Sequence, residues 1–416
     1  NGRIEKEEGG RIDGYEDYSN ASTADYRERR STLARGGSSF NVPWLSESAN
    51  IDNFIFRYNR VESVFLGFGT QKRFYWDGRK NWNSYGSVGW GFKSHTWRGN
   101  LGLSRQVAFS DESLNQMFEL GAEGYSLTDT KDQWIIGVHE NTAAAFLIHE
   151  DFRDYFERTG ATFHVAYYTQ GDYLNTEFKV AYVMDKYDSL SNKVEWAMFG
   201  GDKVFRQNPP IAPGQMKSVM ASVGVTTLTK TSRGPEGWNL FASAEFARKD
   251  FGPTNFDFDQ YVVDVRRYQP LGRYDNFNVR VRAGTSTGVL PLQKAFEYGG
   301  LGTLNGYAFK SDIGNRMLLI NAEYIVNGNF LDDLELWPTW LFRSFNFIIT
   351  SDAGIMRSLP PASAPTSGFE KITWGEFKHN MGFGFSNRSG SFRIGVAWRT
   401  DSKEPAQILF RFTRPF

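Results

Sequence analysis

Two His-Glu steps, His139-Glu140 and His149-Glu150, are the residues best suited by type to hold a metal or move a proton. Zinc-peptidase chemistry needs His-Glu-x-x-His, which sets two imidazoles on one helix face with a carboxylate base between them. Neither step completes that spacing, and polar residues on a loop account for both. Gly-x-Gly steps occur at Gly67/Gly69, Gly89/Gly91 and Gly382/Gly384. None opens a strand-to-helix phosphate cradle, and glycines inside strands mark bends and close backbone approach. Cysteine is absent, which removes disulfides and Cys-ligated zinc. No nucleophile, base and acid fall into a set. The sequence therefore assigns no catalytic residue, no metal and no cofactor, and reads as a non-enzyme.

One constellation is more specific. Gly299-Gly300 leads into Leu304-Asn305-Gly306-Tyr307, then Gly314-Asn315-Arg316, then Asn321-Ala322-Glu323-Tyr324. Downstream stands Ser351-Asp352-Ala353-Gly354. The glycines let a long loop fold tightly back, and Tyr307 is expected to anchor it. Asp352 alternates with apolar neighbours, so it belongs to the wet face of a strand. A buried carboxylate there needs a cationic or hydrogen-bonding partner. Arg316 and Lys310 are the nearest cations in sequence. Arg316 is the expected partner, because a guanidinium can hold a carboxylate through two bonds.

The elements that must position these residues are strands. Period-two alternation is explicit at Phe277, Val279, Val281 and Ala283 against Asn278, Arg280 and Arg282. It recurs in fifteen segments: 60–76, 82–93, 97–109, 116–127, 162–170, 174–187, 216–230, 238–249, 258–268, 276–287, 316–326, 345–356, 378–387, 391–399 and 406–414. These run to about 10 to 14 residues, longer than the roughly 5 or 6 usual in soluble sandwiches. They match the roughly 9 to 11 residues of a tilted membrane-spanning strand. Single-chain bacterial barrels have an even number of strands, so a sixteenth is expected, with 194–199 as its place. The fold class is all-β: a transmembrane antiparallel β-barrel of 16 strands. Apolar spacing at Ala145, Ile148, Phe152, Tyr155 and Phe156 predicts a short helix within 138–158, set in a long loop.

Composition agrees. Aromatic residues make up 16% of the chain, glycine numbers 42, and mean hydropathy is negative. That suits a wall with lipid outside, water inside and aromatic girdles. The 47 basic and 47 acidic residues cancel, which gives no electrostatic case for nucleic acid. Residues 1–50 are charged and without periodicity, a tail or periplasmic linker; residues 51–416 form the barrel. The first residue is not Met, so a mature or trimmed form is expected. The last strand places Ile408, Phe410 and Phe412 on the lipid face and ends the chain on Phe416. Arg411, on the other face, is expected to matter less.

At Gly299–Tyr307, at 316–324 and 347–354, and at 408–416 the chain resembles the BamA/TamA superfamily of outer-membrane barrels, the bacterial surface antigen family. Tyr58-Asn59-Arg60-Val61-Glu62 with Leu66-Gly67 also resembles the first barrel strand of some members. The resemblance implies sixteen strands and a late loop folded into the lumen. It implies the outer membrane of a Gram-negative bacterium, with lipid and lipopolysaccharide around the wall and client or partner proteins. Protein insertion or translocation at the seam between first and last strands is the implied function. Asn305 stands where the family carries an arginine at the loop tip, so the usual charge pairing with the inner-wall acid is not expected. Residues 1–50 are too short for one periplasmic repeat domain. The alternatives are a passive outer-membrane channel, favoured by lumenal Arg280 and Arg282, and a membrane anchor for a partner or an N-terminal domain.

Overall fold

The computed structural model describes residues 54–76, 80–110, 114–231, 234–330, 344–388, 390 and 392–412; the tail 1–50 and Phe416 lie outside them. Among the described residues, sixteen antiparallel strands form the wall. They are β1 Phe54–Asn59, β2 Ser63–Thr70, β3 Lys80–Gly91, β4 Thr96–Ser110, β5 Leu114–Thr130, β6 Tyr155–Gly171, β7 Asn175–Ser189 and β8 Gly214–Thr226. The second half comprises β9 Gly234–Ala247, β10 Phe258–Pro270, β11 Asp275–Gly288, β12 Arg316–Asn327, β13 Phe345–Arg357, β14 Lys378–Asn387, β15 Arg393–Arg399 and β16 Gln407–Arg411. The sheet contains 17 segments. Thr229–Thr231 pairs with β9, as β8 does, and continues β8 after a break, so 17 − 1 gives sixteen wall strands. Each strand is bonded to its neighbours in sequence, from β1–β2 to β15–β16. Among the described residues no helix is long and apolar enough to cross a membrane.

The alternation of β4 shows what the wall separates. Trp97, Leu101, Leu103 and Phe109 face outward, and Leu101 is 73% exposed. Arg98, Asn100, Ser104 and Gln106 face inward, and Gln106 is 0% exposed. A soluble protein buries the first set and exposes the second; here the polarity is reversed. The same inversion holds in β7, where Phe178 and Val180 are exposed while Glu177 and Lys179 are buried. Inside, aromatic rings pack against glycines of the wall. A Cβ on Gly102 would stand 2.2 Å from the Tyr85 ring, and one on Gly284 would stand 2.4 Å from the Phe296 ring. No other residue leaves room for those rings.

The sixteenth strand is β1, not 194–199. Asn59 ends β1 because its side-chain oxygen accepts from the backbone N–H groups of Val61 and Glu62 at 3.0 and 2.7 Å. That turn makes 54–70 a hairpin. Segment 194–199 has another task. Met198 and Phe199 donate their N–H groups to the carbonyls of Phe146 and Leu147, satisfying the open end of a helix. That helix, α1, spans Val138–Ile148 and is shorter than expected. His149 stops it in the left-handed region, φ 61°, where its N–H returns to the Ala144 carbonyl. Tyr155 and Phe156, read as helical, open β6. Their apolar spacing continues across the helix end by coincidence of two periods.

Candidate functional site: the inward loop and the strand seam

The loop between β11 and β12 folds onto the inner wall. Gly299, Gly300 and Gly302 take φ values of 117°, 73° and 74°. These let Gly300 donate to the Leu304 carbonyl and Lys310 to the Gly299 carbonyl, closing the loop on itself. Leu304 is fully buried against Phe296, Tyr298, Met317 and Leu319. Gly306 lies where a Cβ would meet Asn380 and the Trp398 backbone at 2.8 Å. The Tyr307 hydroxyl donates to Asp401 at 3.0 Å. Burial, with Asp401 beside it, pushes that hydroxyl up to about 12.

Asp352 on β13 holds the tip, but through amides. The Asn305 side chain donates to Oδ2 at 2.9 Å and Asn380 on β14 donates there at 2.8 Å. Asn321 on β12 donates to Oδ1 at 2.7 Å. The Asn305 oxygen in turn accepts from the Gly302 N–H at 3.1 Å. A short amide thus reaches the carboxylate. Arg316 does not reach Asp352. Its guanidinium is spent on backbone carbonyls of Ser286, Asn315, Ser367 and Ala364, which tie the 358–377 connection to the wall. Arg316 opens β12 at the edge of the wall, beside that connection, so main-chain oxygens are the acceptors within reach. Glu323 pairs with Arg393 on β15 at 2.6 Å.

Lys310, at the loop's far end, sits among Asp132, Asp154 and Glu297 at 2.8, 2.5 and 2.9 Å. Burial works against its charge, but the three carboxylates outweigh it and raise its pKa. Asp154 is the shared hub. It also accepts from Arg60 at 3.0 Å and Arg206 at 2.6 Å. Burial alone would lift its pKa; Lys310 and Arg206 overcome that and hold it at about 2. Arg60 lies at the tip of the β1–β2 hairpin and is 0% exposed. It reaches the Asp151 and Arg153 carbonyls and Asn208 as well. One carboxylate therefore couples the first hairpin, the inward loop and the 190–213 connection. Sequence reading missed this hub, because Asp154 was placed in a helix and Arg60 in a strand. The signal available was four charged residues in a run of five, 150–154.

The seam carries the second half of the site. The Tyr58 N–H, on β1, donates to the Thr142 hydroxyl of α1 at 3.2 Å. The Phe412 N–H, just past β16, donates to the Glu140 carboxylate of α1 at 2.7 Å. Arg411 donates to the same Glu140 oxygen at 2.9 Å and to the Ile135 carbonyl at 3.2 Å. Helix α1 therefore bridges the first and last strands, and Arg411, expected to matter less, is one of its contacts. Ile408, Phe410 and Phe412 point outward and are exposed. Glu140, dismissed as half of a zinc motif, is a strand acceptor. His149 meets the Glu195 carbonyl at 2.9 Å. Among the described residues no cluster could ligate a metal.

No family model matches the chain, and no curated protein matches it. Solved structures similar to it include BamA from Haemophilus ducreyi lacking POTRA domains 1–3, at 12% identity over 94% of this chain and 77% of that one, TM-score 0.44. CdiB from Acinetobacter baumannii is similar at 12% identity over 85% of this chain and 57% of that one, TM-score 0.40. OccK10 from Pseudomonas aeruginosa is similar at 9% identity over 85% and 89%, TM-score 0.30.

Proposed function

We propose that this chain is an outer-membrane barrel of a Gram-negative bacterium that admits polypeptide at its seam, for insertion into or transfer across the membrane. The membrane reading is supported by the inverted polarity of the wall. An exposed band of Phe, Leu, Val and Trp is costly in water, at about 25 cal/mol per Å², and costless against lipid. Lipid and lipopolysaccharide are then the partners of that band.

The observation that carries the polypeptide reading is the helix between the edge strands. Backbone N–H groups of both edges end on side chains of α1, and side-chain acceptors are easier to exchange than a full ladder. An extended client segment offers carbonyls to the same groups. A passive bore is a poorer fit, because the inward side chains Glu119, Arg280, Asn321, Asp352, Asn380 and Arg411 are buried.

The test uses the chain as its own client. Barrels preassembled in liposomes are mixed with a urea-unfolded copy, and folding of the copy is followed by its gel shift. A several-fold acceleration is expected. In a variant carrying Tyr58→Cys and Thr142→Cys, in a chain free of other cysteine, oxidation should abolish it and reductant restore it. No acceleration, together with steady ohmic conductance in planar bilayers, would establish a passive channel instead.

A further inference from the structure

Three guanidiniums converge on one carboxylate in the lumen. Arg280 meets Asp264 through Nε at 3.1 Å, Arg282 through Nη1 at 2.7 Å, and Arg266 through Nε at 2.9 Å. The local sum is +3 − 1 = +2. Trp134, from the connection between β5 and β6, roofs the cluster. Its ring lies 4.9 Å from the Arg280 guanidinium carbon and 4.2 Å from that of Arg282. The neighbouring acids are committed elsewhere, Glu323 to Arg393 and Asp352 to its amides. Arg280 is 0% exposed, yet among the described residues its Nη1 meets no acceptor, and neither does Arg282 Nε.

Buried charge is retained when it is paired and its donors are satisfied. Two surplus positive charges with two open donor nitrogens are an incomplete site. We infer that the Asp264–Arg266–Arg280–Arg282 cluster binds one further small oxyanion, a carboxylate or phosphate group, at its solvent-facing edge beside Trp134. Planar guanidiniums match such oxygens with paired N–H groups, which a halide cannot use as well. The side chains of Arg266 and Arg282 are 27% and 12% exposed, so the cluster opens to lumenal solvent. This inference does not depend on the seam reading.

Titration calorimetry on the detergent-solubilised barrel tests it, with sodium phosphate and sodium acetate injected separately into fluoride buffer of constant ionic strength. A saturable one-site heat is expected for at least one of them, and the stronger of the two identifies the oxyanion. Arg282→Gln, at the more open edge, should weaken binding at least tenfold. Asp264→Asn removes the competing carboxylate and should tighten it. Gel shifts establish that each variant is folded. Absence of saturable heat for both anions, or binding unmoved by Arg282→Gln, overturns the site; so does weakening by Asp264→Asn.

Discussion

Asp154 concentrates the charge logic of the molecule in one side chain. Its pKa is held at about 2, below the ordinary 3.8, so its ion pairs stabilise the fold fully above that ordinary value. Their contribution disappears as pH falls through about 2. The shift corresponds to about 2 kcal/mol. The inward loop should therefore become sensitive to pepsin between about pH 4 and 2. Asp154→Asn should show that sensitivity already at neutral pH, with another protease as probe. A loop equally protected at pH 2 and pH 7 would contradict the hub. Asp352 behaves differently, because its partners are neutral amides. Asp352→Ala strands four donors, three side-chain amides and the Asn305 N–H, at about 1–3 kcal/mol each if water cannot reach them. Trypsin should then cut at Lys310 in the variant and spare the parent. The sequence pointed to Asp352 and to the loop, since glycine spacing and alternation are local. It could not choose the partner: three asparagines from three separate segments supply the bonds, and no local pattern announces them.

Strands were readable where the two faces differ in polarity. β4, β7 and β11 declare themselves by alternation alone. β1 did not, because the turn that ends it is made by the Asn59 side chain, without glycine or proline. Helix α1 was readable as a helix but not in extent, since His149 ends it with a backbone twist that its residue type does not advertise. Its role at the seam depends on contacts 271 residues apart and was out of reach. The outward face of β16 gives a direct test. Phe410→Arg should cost about 2 to 4 kcal/mol if near the membrane midplane. Glu140→Ala removes the acceptor for Arg411 and for the Phe412 N–H, and should loosen the last strand without altering the lipid face. Urea denaturation in detergent micelles distinguishes the two. The first should lower the global midpoint. The second should speed hydrogen exchange in β16 and β1 alone. Equal global loss from both would mean the helix is part of the core rather than a clasp.

The whole molecule should be heat-modifiable, because the strands satisfy one another's backbone groups inside an apolar medium. Unboiled protein in mild SDS should run apart from the boiled sample and keep a β-type circular dichroism spectrum. Identical migration of the two would exclude a paired wall. The neighbour-only pairing of the strands has a kinetic meaning as well. From β1 to β16, each pairing joins segments consecutive in sequence, so each can form as a hairpin with a short or moderate loop to close. Joining the two ends of the sheet is the one step that spans the entire barrel, and its entropy is paid last. The clasp precedes β16 in the chain, lying between β5 and β6. A docking platform can thus be complete while the C-terminal strand is still unplaced, turning a search for a distant edge into capture by a prepared one. Stopped-flow refolding should place the Glu140→Ala defect in the final slow phase and leave the earlier phases untouched.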